Sequence, residues 1–155
     1  MWQRIQTVFL GIAVLAGLLM FLFPVATLEL PNDGGMVWYT IADITGPDGV
    51  STMPWPVLAL VIVVVALNLG TIFLYKNRVT QLRLIKLNLV LATGLLAATV
   101  LYIDVAMSQY IEGTELEPTY GLALAMPLLI MVFTFLANRS IKKDEALVRS
   151  MDRLR

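Results

Sequence analysis

The stretch Pro54-Trp55-Pro56, followed by Val57-Leu58-Ala59-Leu60-Val61-Ile62-Val63-Val64-Val65-Ala66-Leu67-Asn68-Leu69-Gly70-Thr71-Ile72-Phe73-Leu74-Tyr75, decides the fold class. No charge interrupts it between Val57 and Tyr75. A helix rises about 1.5 Å per residue, so this run is close to the roughly 30 Å of a bilayer's hydrocarbon core. Lipid offers no partner for backbone N–H and C=O groups, so only helices and closed barrels cross it. Barrel strands alternate in polarity, and this run is apolar throughout. Proline suits a helix start, where its missing N–H would have no intrahelical partner.

Three further runs have the same character: Ile5 to Phe23, about Leu84 to Ile103, and about Tyr120 to Ala137. Lys86 sits in the first turn of the third, within reach of headgroups. Apolar residues make up 59% of the chain and charged residues 14%, against roughly 45–50% and about 25% in ordinary soluble domains. That excludes a water-soluble enzyme. The absence of His and Cys removes His-ligated haem, iron–sulfur clusters, thiol chemistry and nearly every zinc site. The first run is read as retained rather than as a cleaved signal peptide, because it exceeds the usual apolar length and has Pro24 near its exit.

The 11 basic and 11 acidic residues cancel in sum but not in place. Arg4 precedes the first run; Lys76, Arg78, Arg83 and Lys86 follow the second; Arg139, Lys142, Lys143, Arg149, Arg153 and Arg155 follow the fourth. The other two loops carry Glu29, Asp33, Asp43, Asp48, Asp104, Glu112, Glu115 and Glu117, and no Lys or Arg. The positive-inside rule therefore places both termini and the middle loop in the cytoplasm. The expected fold is an all-α membrane protein: a four-helix transmembrane bundle over residues 1–137 with a charged cytoplasmic tail helix over 138–155.

The long outer loop 24–56 holds two β-leaning stretches, Ala26 to Leu30 and Met36 to Ile44, around Pro31-Asn32-Asp33-Gly34-Gly35. This predicts a small β-hairpin cap on the extracytoplasmic side, to which a short strand near Ser108 to Ile111 would add. In the tail, Leu147, Met151 and Leu154 form one apolar stripe, and Glu145 precedes Arg149 by four. Two readings of the stripe stay open: contact with anionic headgroups, or a docking surface for a protein.

No ionisable residue lies deep in the runs, so the ion and proton pathways that need one have no support. Asn68 is the deepest strongly polar side chain, with Asn88, Thr71, Thr93, Thr99 and Thr134 beside it in type. It is read first as a helix-packing hydrogen bond and second as a ligand contact. Small residues four apart (Ala13/Gly17, Ala66/Gly70, Gly94/Ala98, Gly121/Ala125) predict close packing inside the bundle. Pro127 is expected to bend the fourth helix. The outer carboxylates lack calcium-loop spacing, and no phosphate loop or nucleic-acid motif appears. No catalytic, cofactor-binding or metal residue is assigned.

The opening Gln3-Arg4-Ile5-Gln6-Thr7, the segment Lys76-Asn77-Arg78 with Gln81, Leu82 and Arg83, and above all the tail Ala137-Asn138-Arg139-Ser140-Ile141-Lys142-Lys143-Asp144-Glu145-Ala146-Leu147-Val148-Arg149-Ser150-Met151-Asp152-Arg153-Leu154-Arg155 resemble one family. It is the family of Bacteroidetes integral membrane proteins catalogued as domain of unknown function 4293. The resemblance covers the whole chain in layout. It implies a bacterial inner-membrane protein with four helices, and no activity or substrate. Its motif residues direct attention to one charged face: Gln3, Arg4, Gln6, Arg78, Gln81, Arg83, Arg139, Lys142, Lys143, Asp144, Glu145, Arg149, Asp152 and Arg153.

The leading functional expectation is a non-enzymatic accessory or assembly subunit that docks a protein partner through this face, with anionic lipid as its near neighbour. A small transporter or channel for an uncharged solute, with Asn68 and the threonines along its path, is the alternative. An enzyme acting on lipid headgroups is the third. Oligomeric state stays open.

Overall fold

The structure is a computed structural model that describes residues 2–30, 36–46, 51–74, 77–111 and 117–152. Its order is helix α1 (Trp2–Leu19), strands β1 (Ala26–Glu29), β2 (Met36–Tyr39), β3 (Ile44–Thr45) and β4 (Ser51–Thr52), helices α2 (Trp55–Phe73) and α3 (Arg78–Ile111), strand β5 (Thr119–Tyr120), a 3-10 turn (Leu122–Ala125) and helix α4 (Met126–Asp152). Three segments are long and apolar enough to cross a membrane: Trp55–Phe73, Arg78–Val105 and Leu122–Leu147. The apolar helical part of α1, Ile5–Leu19, is shorter. Beyond it the chain tightens: Phe21 N–H donates to Leu18 O at 3.1 Å and Leu22 N–H to Leu19 O at 3.0 Å. Pro24, which has no N–H to give, ends the run.

The starts of α2 and α3 are written locally. Pro54 caps α2, Pro56 lies in its first turn, and Leu58 N–H bonds Pro54 O at 3.0 Å. Asn77 caps α3: its side-chain oxygen accepts from Thr80 N–H at 3.3 Å, and its carbonyl from Gln81 N–H at 3.0 Å. Arg78, Gln81 and Arg83, expected in a loop, are therefore helical.

α3 outruns the expected Leu84 to Ile103 at both ends. It also overturns the strand expected at Ser108 to Ile111, which is helix through Ile111. The added strand is β5, further along the chain. Pro127 does not bend the middle of a helix. It is the second residue of α4, just after the 3-10 turn, where a missing N–H costs nothing.

The five strands form one antiparallel sheet in the order β4-β3-β2-β1-β5. β1 and β2 pair as the predicted hairpin, Ala26 opposite Tyr39 and Glu29 opposite Met36, while the Pro31 to Gly35 turn lies outside the described residues. The stretch Met36 to Ile44 is two strands, not one. Thr40 folds it back: its N–H donates to Asp43 O at 2.8 Å, and its Oγ1 accepts from Asp43 N–H at 3.1 Å. The two edge strands lead into α2 and α4.

The sheet turns Ala26, Leu28, Val37 and Tyr39 inward, and they share one core with Met20, just past α1, and with Val61, Leu95, Ile103 and Ile130 of the helices. It thus closes one end of the helical body. At the other end a second cluster joins Leu10, Ile85, Ala137 and Ile141. α1 packs on α4 and α2, and α3 packs on α2 and α4. The inward residues of α3 (Gln81, Ile85, Asn88, Ala92, Leu95, Thr99, Ile103) recur at steps of three and four, as packing along a helix seam requires.

Only one of the four small-residue pairs does the work expected of it. Ala13 and Gly17 are buried, and a Cβ on Gly17 would fall 2.4 Å from Val65 Cγ2. Ala66, Gly94 and Ala125 are exposed, and a Cβ on Gly70 or Gly94 would meet nothing within 4 Å. Gly121 serves the sheet instead. A Cβ there would fall 2.1 Å from Pro24 O, where the chain passes to donate Gly121 N–H to Val25 O at 2.9 Å.

Candidate functional site

The end of the molecule opposite the sheet gathers the described residues among those singled out in the sequence, and the structure sorts by direction those whose side chains are described. Helical periodicity turns Asp144 inward three residues after the buried Ile141. On α1, Gln6 turns inward one turn before the buried Leu10. The two meet: Gln6 Nε2 donates to Asp144 Oδ2, with Gln6 only 7% and Asp144 8% exposed. Gln81, also buried, donates its Nε2 to Thr71 O at 3.2 Å and ties the start of α3 to the end of α2. Three of the candidate contact residues are therefore struts between helices.

The others divide. Arg83, Arg139, Lys142 and Lys143 are exposed, Glu145 is half-buried, and Lys143 and Glu145 have partners of their own. Arg78 is half-buried at the first position of α3, and its Nη1 is buried with no hydrogen-bond partner among the described residues. Gln3 and Arg4 lie on α1, and Arg149 and Asp152 on α4, with side chains outside the described set; Arg153 lies outside it altogether. In the apolar stripe, Leu147 is exposed. The α4 helix does not leave the molecule at its apolar limit, because Ile141 and Asp144 still pack on α1.

Between the two ends lies a set of buried carboxamides. Asn68 is 1% exposed, and its Oδ1 accepts from Thr134 Oγ1 at 3.4 Å, a contact that links α2 to α4. Its Nδ2 has no partner among the described residues. Asn88 is 1% exposed, with neither side-chain atom bonded, and Asn138 is 8% exposed with an unbonded Oδ1.

The threonines behave otherwise. Thr71, Thr93 and Thr99 each bond the carbonyl four residues back on their own helix, at 2.6, 2.9 and 2.7 Å, and Thr93 is exposed.

Sequence reasoning found Asn68 but gave Asn88 and Asn138 no role. The signal was present. Asn88 follows Gln81 by seven and Asn138 follows Thr134 by four, spacings that share a helix face.

At the sheet end the Tyr39 hydroxyl is buried and has no partner among the described residues. Its ring lies 6.3 Å from that of Tyr102, 28° from parallel. Burial, and secondarily the neighbouring Tyr102, push the Tyr39 phenol well above its ordinary value. No group of three His, Cys, Asp or Glu side chains placed to share a metal ion occurs among the described residues.

Comparison with curated proteins returns no match to this chain. A family profile described as a domain of unknown function, DUF4293, matches residues 2–154, nearly the whole length, as the tail and middle segment led one to expect. The chain therefore belongs to the family of the domain of unknown function DUF4293.

Proposed function

We propose that the chain is a four-helix transmembrane bundle of a bacterial inner membrane, with both termini and the charged end cytoplasmic and the sheet outside. The helices support this by inverting the soluble pattern. Leu15, Leu18, Ile62, Val90, Leu101, Val132 and Phe135 are exposed, whereas Asn68, Asn88 and Thr134 are buried. A water-soluble monomer rarely exposes so broad an apolar surface. In the sequence the basic residues fall before the first apolar run, between the second and third and after the fourth, and none falls in the other two loops, which supports this orientation.

In this membrane the protein acts as a non-enzymatic accessory or assembly subunit that presents a fixed basic face to a protein partner. The Gln6–Asp144 bond carries this reading. It holds α4 beyond its apolar stretch as a continuation of the bundle, so Arg139 and Lys142 stand exposed on a pre-set helix with Arg83 exposed on α3. Pre-ordering removes part of the entropy cost of association. An acidic protein surface is the complementary partner, and charge pairing at the rim sets its approach rate and selectivity.

Purification of the native-level protein in gentle detergent, with and without R139E/K142E, tests this. A stoichiometric partner lost in the variant, with helix content unchanged by circular dichroism, is the expected result. No partner, or equal recovery from both forms, overturns it.

A further inference from the structure

The three interior asparagines have more hydrogen-bonding capacity than the protein uses. Asn68 Nδ2, Asn88 Nδ2, Asn88 Oδ1 and Asn138 Oδ1 are all buried without partners among the described residues. Buried polar side chains in proteins are nearly always satisfied, and within a membrane no solvent outside the bundle can do it.

Their placement brings them together. Thr134 joins Asn68 directly, and Asn138 lies one turn along the same face of α4. The bond from Gln81 to Thr71 O sets α3 against α2 and places Asn88 about 6 Å along the axis from Asn68. The contact of Thr93 Oγ1 with Met131 Sδ at 3.8 Å sets α3 against α4 and places Asn88 about 3 Å along the axis from Thr134. The first register sets Asn88 on the sheet side of the Asn68–Thr134 pair and the second on the charged side, so the two bracket Asn88 within about one helical turn of it.

We propose that Asn68, Asn88 and Asn138 form a buried site for a small uncharged molecule that both donates and accepts hydrogen bonds, water being the smallest. The free atoms are two donors and two acceptors on neutral groups, which match such a molecule and offer no counter-charge to an ion. Thr134 fixes which way Asn68 turns: by donating to Oδ1 it leaves Nδ2 as the free donor. The site stands whether or not its occupant moves through the protein, and independently of docking at the charged face.

The chain has five asparagines, so the full-length protein labelled with nitrogen-15 at asparagine gives five side-chain amide pairs, each assignable by one Asn→Leu change. Exposed Asn77 is the reference. In detergent micelles, long-lived magnetisation transfer from water to the Asn68 and Asn88 amide protons is expected. Asn88 is the decisive signal, since no hydroxyl bond relays exchange to it among the described residues.

Titration with urea, a small neutral amide, separates the two sources. Saturable shifts at Asn68 and Asn88 with loss of the water signal identify a solute site, which N88L should weaken about tenfold. An unchanged water signal identifies bound water. If neither water transfer nor a saturable shift appears at the interior asparagines, the site does not exist and the amides pair in a dry core.

Discussion

Replacing Asp144 by Leu leaves the Gln6 amide buried with no acceptor, so the cost combines a lost bond with an unsatisfied donor. For groups this deeply buried that is about 1–3 kcal/mol, or roughly a 5- to 150-fold change in the folding equilibrium. Gln6→Leu strands the carboxyl instead, at a similar or larger cost. Q6L/D144L should return to within about 1 kcal/mol of the parent. Leu10, Ile85, Ala137 and Ile141 already form an apolar cluster next to the pair, and two apolar side chains leave nothing unsatisfied.

The coupling energy of the cycle is therefore about 3 kcal/mol, from two single costs of about 2 kcal/mol each and a double change of up to about 1 kcal/mol. D144N keeps an acceptor and should fall near the parent. Reversible unfolding in mixed detergent micelles measures all five stabilities, and the proteolysis rate of the tail reports whether α4 has come away. Additivity within about 0.5 kcal/mol would refute the reasoning, because independent sites behave that way and bonded ones do not.

Gly17→Ala should destabilise by about 1–3 kcal/mol through contact with Val65, and V65A in the same chain should recover most of it, as read from the same unfolding curves. Gly121→Ala should cost more, with no side-chain rescue, because the obstructing atom is the Pro24 backbone oxygen; amide exchange at Gly121 and Ala123 should accelerate. Tyr39→Phe removes an unbonded buried hydroxyl and should leave neutral-pH stability unchanged or raised by up to about 1 kcal/mol. The Tyr39 phenol titrates higher when folded than when unfolded, so its contribution is whole below the unfolded value of about 10 and is lost as pH rises past it. Thermal melts of the parent should fall between about pH 10 and 12, and those of Y39F less so.

What the sequence made legible was whatever a short window contains. Pro54 and Pro56 announce α2, the β1–β2 hairpin shows in its flanking strands, and length and hydropathy reveal the helices. Information that depends on distant partners was hidden. β5 is two residues long and exists because Ala26 and Thr27 lie opposite it, so nothing near Thr119 could signal it. The boundary of α3 was misplaced because charge was taken for loop, whereas Asn77 caps a helix that carries Arg78 and Arg83 as readily as Leu.

The charged face was legible as a composition but not as a set of directions. Asp144 stands between Lys143 and Glu145 in a tail that reads as solvated throughout, and only its phase relative to Ile141 turns it inward. Asn68 was noticed for its depth. Asn88 and Asn138 show in spacing that they share a face with Gln81 and Thr134, but that this face is buried depends on neighbours on other helices.

The strand order of the sheet also dictates a timetable for making the protein. Strands β1 to β4 and the first two helices emerge early from the ribosome and can zip together by short connections. β1, however, keeps one side open until Thr119 and Tyr120 arrive behind the whole of α3. An open strand edge invites pairing with any passing chain. The same late segment closes that edge, seats Gly121 against Val25, and leads into α4, which then packs on α1. A nascent chain that stalls after its third helix therefore carries two marks of incompleteness at once, an unpaired edge and a first helix covered by α2 but not yet by α4, and a single insertion event erases both.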